Sequence, residues 1–139
     1  MAEPAPLHKA EPTKHVPTVL VIEDEFMLRV LLSDYLQECG FKVVAVNDAT
    51  EAISIIENSG VKIDLVFSNV VMPGPMDGFG LKRWLRTNRP NLPIILVSGD
   101  AKKTNAAEEL CESGPLMAKP YDLETVVIRV RAILAELKL

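Results

Sequence analysis

Residues 64 to 78 read DLVFSNVVMPGPMDG, an apolar run that ends in a proline- and glycine-rich turn. A run of β-forming residues from Ile63 to Phe67 leads through Ser68 and Asn69 into a Met-Pro-Gly-Pro turn. Such a run, bounded by turn residues, predicts a strand buried on both faces over residues 63 to 69. The strand therefore ends in a polar amide at a turn.

The residues before this stretch alternate between two hydrophobic periods. Continuous apolar runs predict a first strand over 18 to 22 and a second over 41 to 46. Between them, residues 26 to 39 repeat apolar side chains at intervals of three and four, which predicts a helix. We expect its buried face to consist of Leu28, Leu31, Leu32, Tyr35, Leu36 and Cys39. Asp48 is placed to cap the next helix, with Glu51 three residues later as in a capping box.

The residues after the opening stretch continue this alternation. They predict a third helix over 78 to 88, a fourth strand over 92 to 98, a polar helix over about 101 to 112 and a short strand over 115 to 118. Asp122 is then placed to cap a last helix, whose apolar stripe reaches Leu137.

Strand and helix thus alternate five times, which predicts a doubly wound α/β domain. Such a domain has a parallel sheet, right-handed crossovers and helices on both faces. We expect one domain over residues 18 to 139, preceded by a flexible tail over residues 1 to 17. The tail contains four prolines, and we expect its histidines, His8 and His15, to be solvated.

The composition excludes several classes of function. A net charge of −4 without a basic stripe argues against nucleic-acid binding. No stretch approaches the roughly 18 apolar residues of a membrane span, and no signal-peptide core is visible. Cys39 and Cys111 lack the spacing of a metal site, which indicates two free thiols in a reducing compartment. We therefore expect a cytoplasmic protein that contacts neither nucleic acid nor membrane directly.

Side chains that can bind ligands or take part in a reaction lie at the carboxyl ends of four of the predicted strands. They are Glu23, Asp24 and Glu25 after the first strand, Asn69 at the end of the third, Ser98 at the end of the fourth, and Lys119 after the fifth. In open α/β sheets the functional crevice lies at this edge. We therefore expect carboxylates, an amide, a hydroxyl and an ammonium to converge there.

This set of groups is suited to phosphoryl transfer. Adjacent carboxylates can hold a hard cation such as Mg²⁺. A hydroxyl and a lysine can orient and neutralise a tetrahedral anion. A cation, an anion clamp and an acceptor at a strand end together supply the positioning and charge neutralisation that phosphoryl transfer requires. An aspartate at the acceptor position would complete the set by forming an aspartyl phosphate.

Four segments give the chain a strong resemblance to the receiver domain of two-component response regulators. They are VLVIEDE at 19 to 25, DLVFSNVVMPGPMDG at 64 to 78, ILVSGD at 95 to 100 and MAKP at 117 to 120. The resemblance covers residues 18 to 138 and implies a flavodoxin-like, CheY-like (βα)5 fold. It also implies a five-stranded parallel sheet in the order 2-1-3-4-5. The function it implies is phosphorelay signalling rather than enzymatic turnover.

The resemblance assigns roles around a Mg²⁺ site. Glu23 and Asp24 match the acidic pair that binds the cation, and the backbone carbonyl of Val71 matches a third protein ligand. Asn69 falls at the position of the phosphoacceptor aspartate, where its side-chain oxygen remains a potential ligand without charge.

The remaining matches concern the phosphoryl group and its surroundings. Ser98 matches the hydroxyl that senses the phosphoryl group, Lys119 matches the site lysine, and Pro120 matches the proline that follows it. Gly78 matches the glycine that opens the third helix. Leu116 stands where receivers often carry an aromatic switch residue, so the usual relay from hydroxyl to aromatic ring is not expected here.

Asn69 changes what such a site can do. Asparagine is nearly isosteric with aspartate, so the fold should accept it, but its amide nitrogen is not a nucleophile because the lone pair is delocalised. We therefore expect no stable phosphorylation at residue 69 and weakened Mg²⁺ binding. The loss of one carboxylate also relieves repulsion with Glu23 and Asp24.

Three explanations for Asn69 stay open. The first is an Asp→Asn substitution introduced to hold an ordinary phosphoacceptor in its unphosphorylated state. The second is a naturally degenerate receiver that binds a partner regardless of phosphorylation. The third is phosphorylation displaced to Ser68 or Asp24, although Ser68 is expected on the opposite face of its strand from Asn69.

The resemblance implies two kinds of protein partner. Upstream, we expect a sensor histidine kinase or a phosphotransfer protein. Downstream, we expect a partner that docks on the fourth helix, the fifth strand and the fifth helix. The chain ends just after the last predicted helix, which suggests a stand-alone receiver or one excised from a larger regulator or hybrid kinase. Homodimerisation stays open.

Two other classes fit the sequence less well. A flavin-binding flavodoxin relative needs a loop that cradles a phosphate after the first strand, and the acids from Glu23 to Glu25 would repel that phosphate. A phosphatase or mutase of the aspartyl-phosphate type would need Asp24 as its nucleophile.

Overall fold

The computed structural model of the chain describes residues 15–98, 116–118 and 122–137. In this part of the chain the elements are β1 (Thr18–Ile22), α1 (Phe26–Glu38), β2 (Lys42–Val46), α2 (Ala49–Asn58), β3 (Leu65–Asn69), α3 (Gly78–Asn88), β4 (Ile94–Ser98), β5 (Leu116–Ala118) and α4 (Leu123–Leu137). The predicted strands begin up to two residues before the observed ones, as in β3 and β4. The polar helix predicted over 101 to 112 lies outside the described residues.

The strands form one parallel sheet in the order β2-β1-β3-β4-β5. Strand β3 is central, with Val66 opposite Leu20 of β1 and Ile94 of β4. Strand β5 joins the edge of the sheet, where Leu116 is opposite Leu96 of β4. The strand order therefore agrees with the predicted one. The complete (βα)5 pattern stays a prediction, because its fourth helix falls outside the described part.

The sheet separates two hydrophobic cores, because side chains along a strand point alternately to its two faces. Val19 and Val21 join the core under α1 and α4, whereas Leu20 and Ile22 join the core under α2 and α3. Every residue of β1, β3 and β4 is buried, as expected for the interior of a parallel sheet. In the described residues, no helix is long and apolar enough to cross a membrane.

Two predicted helix caps are confirmed. Asp48 Oδ1 accepts the N–H of Glu51 at 2.9 Å, and Asp122 Oδ1 accepts the N–H of Thr125 at 2.7 Å. The capping box at α2 is shifted by one residue, because the Glu51 carboxylate accepts the N–H of Asn47 at 2.7 Å rather than that of Asp48. The cap therefore also fixes the loop that precedes α2.

The burial of α1 corrects one prediction. The sequence predicts Leu31 on the buried face of α1, but its side chain is 55% exposed. Leu32 and Leu36 from the same predicted set are fully buried. The helix therefore packs through a narrower face than its apolar pattern indicates.

His15 is exposed to solvent, as predicted, but it also has a partner that the sequence did not indicate. Its side chain is 49% exposed, and Nε2 lies 2.7 Å from Oδ2 of Asp64. The same oxygen accepts the N–H of Thr18 at 2.9 Å. Asp64 therefore holds the segment that enters β1 against the segment that enters β3.

Candidate functional site

The carboxyl ends of three neighbouring strands bring three predicted site residues to one edge of the sheet. Strand β1 ends opposite Ser68, so Glu23 follows at the level of Asn69. Val97 of β4 is opposite Asn69, so Ser98 follows one residue further along. The parallel register thus delivers a carboxylate, an amide and a hydroxyl from three strands to the same edge.

Asn69 and Asp24 are in contact across this edge. Nδ2 of Asn69 lies 3.4 Å from Oδ1 of Asp24. Asn69 is only 4% exposed, whereas Asp24 is exposed to solvent. A buried amide is costly unless it has a hydrogen-bond partner, so the long contact with Asp24 stabilises this arrangement. Two residues that are far apart in sequence, and were both predicted for the site, therefore meet.

Glu23 is a buried carboxylate held by the main chain. Its side chain is 3% exposed, and Oε2 accepts the N–H of Glu25 at 3.1 Å. Its own N–H donates to the carbonyl oxygen of Val46 at 3.1 Å. Removing a carboxylate from water is unfavourable unless its charge is compensated. A cation bound at this edge would provide that compensation.

The donors at this edge fit a hard divalent cation. Glu23 and Asp24 offer carboxylate oxygens and Asn69 offers an amide oxygen, which are ligand types that Mg²⁺ accepts. The atom of Asn69 that lies 3.4 Å from Asp24 Oδ1 is the amide nitrogen, which is not a ligand atom for Mg²⁺. The amide would have to turn its oxygen toward the ion, because its nitrogen faces Asp24.

Carboxylates alone do not make this a metal site. Among the described residues, no group of three or more His, Cys, Asp and Glu side chains is arranged to hold a metal ion. A cation here would therefore depend on the amide of Asn69, main-chain oxygens and water as well as on the two acids. Magnesium tolerates such a shell because it commonly keeps several of its waters.

The residues after β3 are fixed on one side and exposed on the other. The N–H of Val70 donates to the carbonyl oxygen of Val97 at 2.9 Å, and its own carbonyl accepts the N–H of Gly78 at 2.6 Å. The side chain of Val71 is 80% exposed, so this residue lies at the surface beside the site. The role of the Val71 carbonyl as a ligand stays a prediction.

Helix α3 begins against the backbone of Asn69. Asp77 caps the helix, with Oδ1 accepting the N–H of Gly80 at 2.8 Å. A Cβ atom on residue 78 would lie 2.5 Å from the carbonyl oxygen of Asn69 and 2.8 Å from the Cα of Val70. Gly78, predicted to open the third helix, is thus the residue that allows α3 to approach the end of β3 so closely.

The predicted anion clamp is described only in part. Ser98 ends β4 and is 8% exposed, and Ala118, the last residue of β5, is opposite it. Lys119 and Pro120 lie outside the described residues. The pairing of the Ser98 hydroxyl with the Lys119 ammonium therefore stays a prediction.

Ser68 is buried away from solvent. Its side chain is fully buried, and Oγ donates to the carbonyl oxygen of Asn69 at 2.8 Å. It also lies 3.5 Å from the sulfur of Met72. Met72 belongs to the core under α2 and α3, so Ser68 Oγ lies on that side of the sheet, whereas the opposite orientation of Asn69 stays a prediction from strand alternation. Ser68 is therefore a poor alternative phosphoacceptor.

The start of α1 carries an exposed apolar face that was missed in the sequence. Phe26, Met27, Val30 and Leu31 are 62%, 69%, 39% and 55% exposed. Their spacing places them on one side of the helix, directly after the acidic loop. Contiguous exposed apolar side chains mark interaction surfaces. The sequence signal was an apolar pattern wider than one buried helix face requires.

Comparison with known proteins gives the family. Residues 19–131 match the family model described as the response regulator receiver domain, and the chain therefore belongs to this family. Receiver domains are signalling modules of two-component systems. The family match covers every described site residue, from Glu23 to Ser98.

The curated relatives include very different proteins. The chain is 36% identical over 118 residues to the sensor kinase CckA of Brucella abortus, covering 84% of this chain and 12% of that protein. It is 32% identical over 128 residues to the regulatory protein VirG of Agrobacterium tumefaciens, covering 91% of this chain and 45% of that protein. The chain thus spans less than half of either relative.

Solved structures show the same fold. A response regulator receiver protein from Sinorhizobium medicae superposes with a TM-score of 0.76 at 29% identity, covering 88% of this chain and 98% of that one. A CheY-like receiver domain from Methanospirillum hungatei superposes with a TM-score of 0.80 at 22% identity, covering 89% of this chain and 98% of that one.

Proposed function

We propose that this domain is a phosphorylation-silent receiver of a two-component phosphorelay, in which Asn69 occupies the phosphoacceptor position. The observation that carries the proposal is the position of Asn69. It is the last residue of the central strand β3, it is buried, and it contacts Asp24 of the acidic loop. The side chain at this position is the one that would have to attack a phosphodonor.

An amide at this position blocks acyl phosphate formation. Phosphoryl transfer to a receiver requires a carboxylate oxygen as the nucleophile, and Asn69 offers an amide nitrogen without a free lone pair. The supporting groups proposed for the reaction are all present in the sequence: Glu23, Asp24, Ser98 and Lys119. We therefore attribute the absence of phosphorylation to the amide group of Asn69 alone.

The proposal includes a Mg²⁺ site of reduced affinity. Glu23 and Asp24 would bind the cation together with the oxygen of Asn69 and the carbonyl of Val71. When bound, Mg²⁺ neutralises the negative charge of a phosphoryl group. The two carboxylates remain, but the third charge of the shell is absent, so we expect weaker binding than in the aspartate form.

The test is the intact mass of two proteins after incubation with acetyl phosphate and Mg²⁺. We expect Asn69→Asp to gain a phosphoryl group and the parent chain to gain none. A matched control is Asn91→Asp, which adds the same charge at an exposed position preceding β4, remote from the site. This control should not gain mass. A phosphorylated parent chain would overturn the proposal.

A phosphorylation-independent binding module is the second candidate. It is favoured by the exposed apolar face of α1, formed by Phe26, Met27, Val30 and Leu31. In that case neither the parent nor Asn69→Asp gains mass, because a carboxylate restored at residue 69 would not be sufficient for phosphorylation. The same incubation thus separates a receiver silenced at one position from a degenerate one.

The proposed partners follow from the family. Upstream, we propose a sensor histidine kinase or a phosphotransfer protein. Downstream, we propose a protein that docks on β5, on α4 and on the segment between β4 and β5. Ile128 on α4 is 61% exposed and provides apolar surface for such a contact.

A further inference from the structure

Arg29 links the acidic loop after β1 to the loop after β2. Its Nη1 donates to the main-chain oxygen of Glu23 at 2.8 Å and also to Oδ1 of Asn47. Its guanidinium carbon lies 5.5 Å from the centre of the Phe26 ring. Two hydrogen bonds and one ring contact therefore fix a single half-buried guanidinium.

The main chain of Glu23 is held on both sides of its Cα. Its N–H donates to Val46, and its carbonyl accepts from Arg29. The peptide unit between Glu23 and Asp24 is planar and rigid. Fixing the Glu23 carbonyl therefore also fixes the direction in which the chain enters Asp24.

The other contact of Arg29 is itself anchored. Asn47 donates its N–H to the Glu51 carboxylate at 2.7 Å, and the adjacent Asp48 caps α2. The Arg29 side chain thus connects the acidic loop to the start of a regular helix. This gives the loop a rigid support that the β1 strand alone does not supply.

We propose that Arg29 is a positioning residue for a cation site formed by Glu23 and Asp24. Its guanidinium holds the main chain from which both carboxylates project. The inference rests on the proposed function, in which these acids bind Mg²⁺. Residues that orient metal ligands typically change metal affinity by about 10- to 100-fold when they are removed.

An electrostatic role and a positioning role of Arg29 predict opposite effects of its removal on Mg²⁺ affinity. If only its positive charge mattered, removing it would strengthen Mg²⁺ binding, because repulsion between two cations would be lost. If Arg29 positions the acidic loop, removing it weakens binding despite that electrostatic gain. The sign of the change therefore distinguishes the two roles.

The variants are Arg29→Met and Arg29→Lys, each in the full chain carrying Asn69→Asp. Methionine keeps an unbranched side chain without charge or donors, and lysine keeps the charge without the planar pair of donors. Arg89→Met is the matched control. Arg89 is exposed at the end of α3, where its Nη1 donates to the carbonyl of the adjacent Asn88.

Two readouts are needed. Mg²⁺ affinity is followed by the amide NMR shifts of residues 23 to 25, and hydrogen exchange of the Glu25 N–H is measured in EDTA. We expect Arg29→Met to weaken Mg²⁺ binding about tenfold and to accelerate Glu25 exchange relative to the β3 amides. We expect Arg29→Lys to retain more affinity than Arg29→Met, and Arg89→Met to match the parent.

Unchanged or tighter Mg²⁺ binding in Arg29→Met would overturn the proposal, as would unchanged Glu25 exchange. The proposed metal site fails separately if Asn69→Asp with Arg29 intact binds no Mg²⁺. In that event the exchange of Glu25 in EDTA still decides whether Arg29 holds the loop. Faster exchange supports that role, and unchanged exchange refutes it.

Discussion

The amide nitrogen of Asn69 lies 3.4 Å from the carboxylate of Asp24, which joins the end of β3 to the loop after β1. This contact is compatible with a neutral amide donating to a charged acid. A carboxylate at residue 69 would instead face two other carboxylates, those of Glu23 and Asp24. We therefore expect a substitution at this residue to change both the stability of the domain and its affinity for cations.

We predict that Asn69→Asp lowers the melting temperature in EDTA and that Mg²⁺ restores it. One added carboxylate about 4 Å from a cation gains about 1 kcal/mol or more, so the Mg²⁺ dissociation constant should fall at least about fivefold. Thermal unfolding across a Mg²⁺ titration measures both effects, because a ligand that binds only the folded state stabilises it. Asn91→Asp should show neither effect. Equal Mg²⁺ stabilisation of Asn69→Asp and the parent would contradict the prediction.

We predict that Gly78→Ala destabilises the domain by about 1–3 kcal/mol. The added Cβ would lie 2.5 Å from the Asn69 carbonyl oxygen and 2.8 Å from the Val70 Cα, which are backbone atoms of the last residue of β3 and of the residue that follows it. Helix α3 would have to move away from β3. Urea unfolding at constant m-value measures the loss.

Gly80→Ala is the control for this substitution. A Cβ at residue 80 would lie 2.8 Å from Cγ of Met76, an atom of a flexible side chain that can move. Alanine also has the higher helix propensity, by up to about 1 kcal/mol. Gly80→Ala should therefore be neutral or stabilising. A loss as large as that of Gly78→Ala would indicate that helix packing in general, rather than the contact with Asn69, causes the effect.

The sheet and the placement of several candidate site residues could be predicted because they depend on short-range signals. Continuous apolar runs such as TVLVI mark the buried strands. In a parallel sheet, the residues at the carboxyl ends of the strands then lie at one common edge. Glu23, Asn69 and Ser98 follow from this rule with no knowledge of tertiary contacts. The approach of Gly78 to β3 also agrees with its predicted place at the start of α3.

The features that were missed depend on contacts between distant segments. The role of Arg29 arises only when the loops after β1 and β2 become neighbours, so its spacing along the chain carries no signal. The same holds for His15, whose partner Asp64 is 49 residues away. Leu31 was misplaced for another reason: α1 is apolar on more than one side, and periodicity cannot tell which side the sheet covers.

We predict that neighbouring leucines of α1 differ in their contribution to stability. Leu32 is fully buried in the core under α1 and α4, so Leu32→Ala should cost about 2–5 kcal/mol. Leu31 is 55% exposed, so Leu31→Ala should change the free energy of unfolding by no more than about 0.5 kcal/mol. Urea unfolding of the two variants provides the comparison. Similar losses would show that the exposed face of α1 is covered in solution.

The N-cap of α4 should make stability depend on pH in the acid range. The hydrogen bond from the Thr125 backbone N–H, followed by the contact with its hydroxyl, holds the pKa of Asp122 below its usual value. The folded state therefore binds this proton less readily than the unfolded state. The resulting stabilisation is present above the unfolded pKa of about 4 and is lost as the pH falls through the lower folded pKa.

We therefore predict that Asp122→Ala lowers the melting temperature at pH 7 and that its difference from the parent shrinks in acid. Asp122→Asn keeps an acceptor oxygen for the Thr125 N–H but does not titrate, so it should lie close to the parent at pH 7. Its difference from Asp122→Ala should also stay constant with pH. Thermal unfolding of the three proteins between pH 7 and pH 3 measures these differences, and titrations of other groups largely cancel between variants. A parent-to-alanine difference that persists unchanged at the lowest pH would mean that the charge of Asp122 does not stabilise α4.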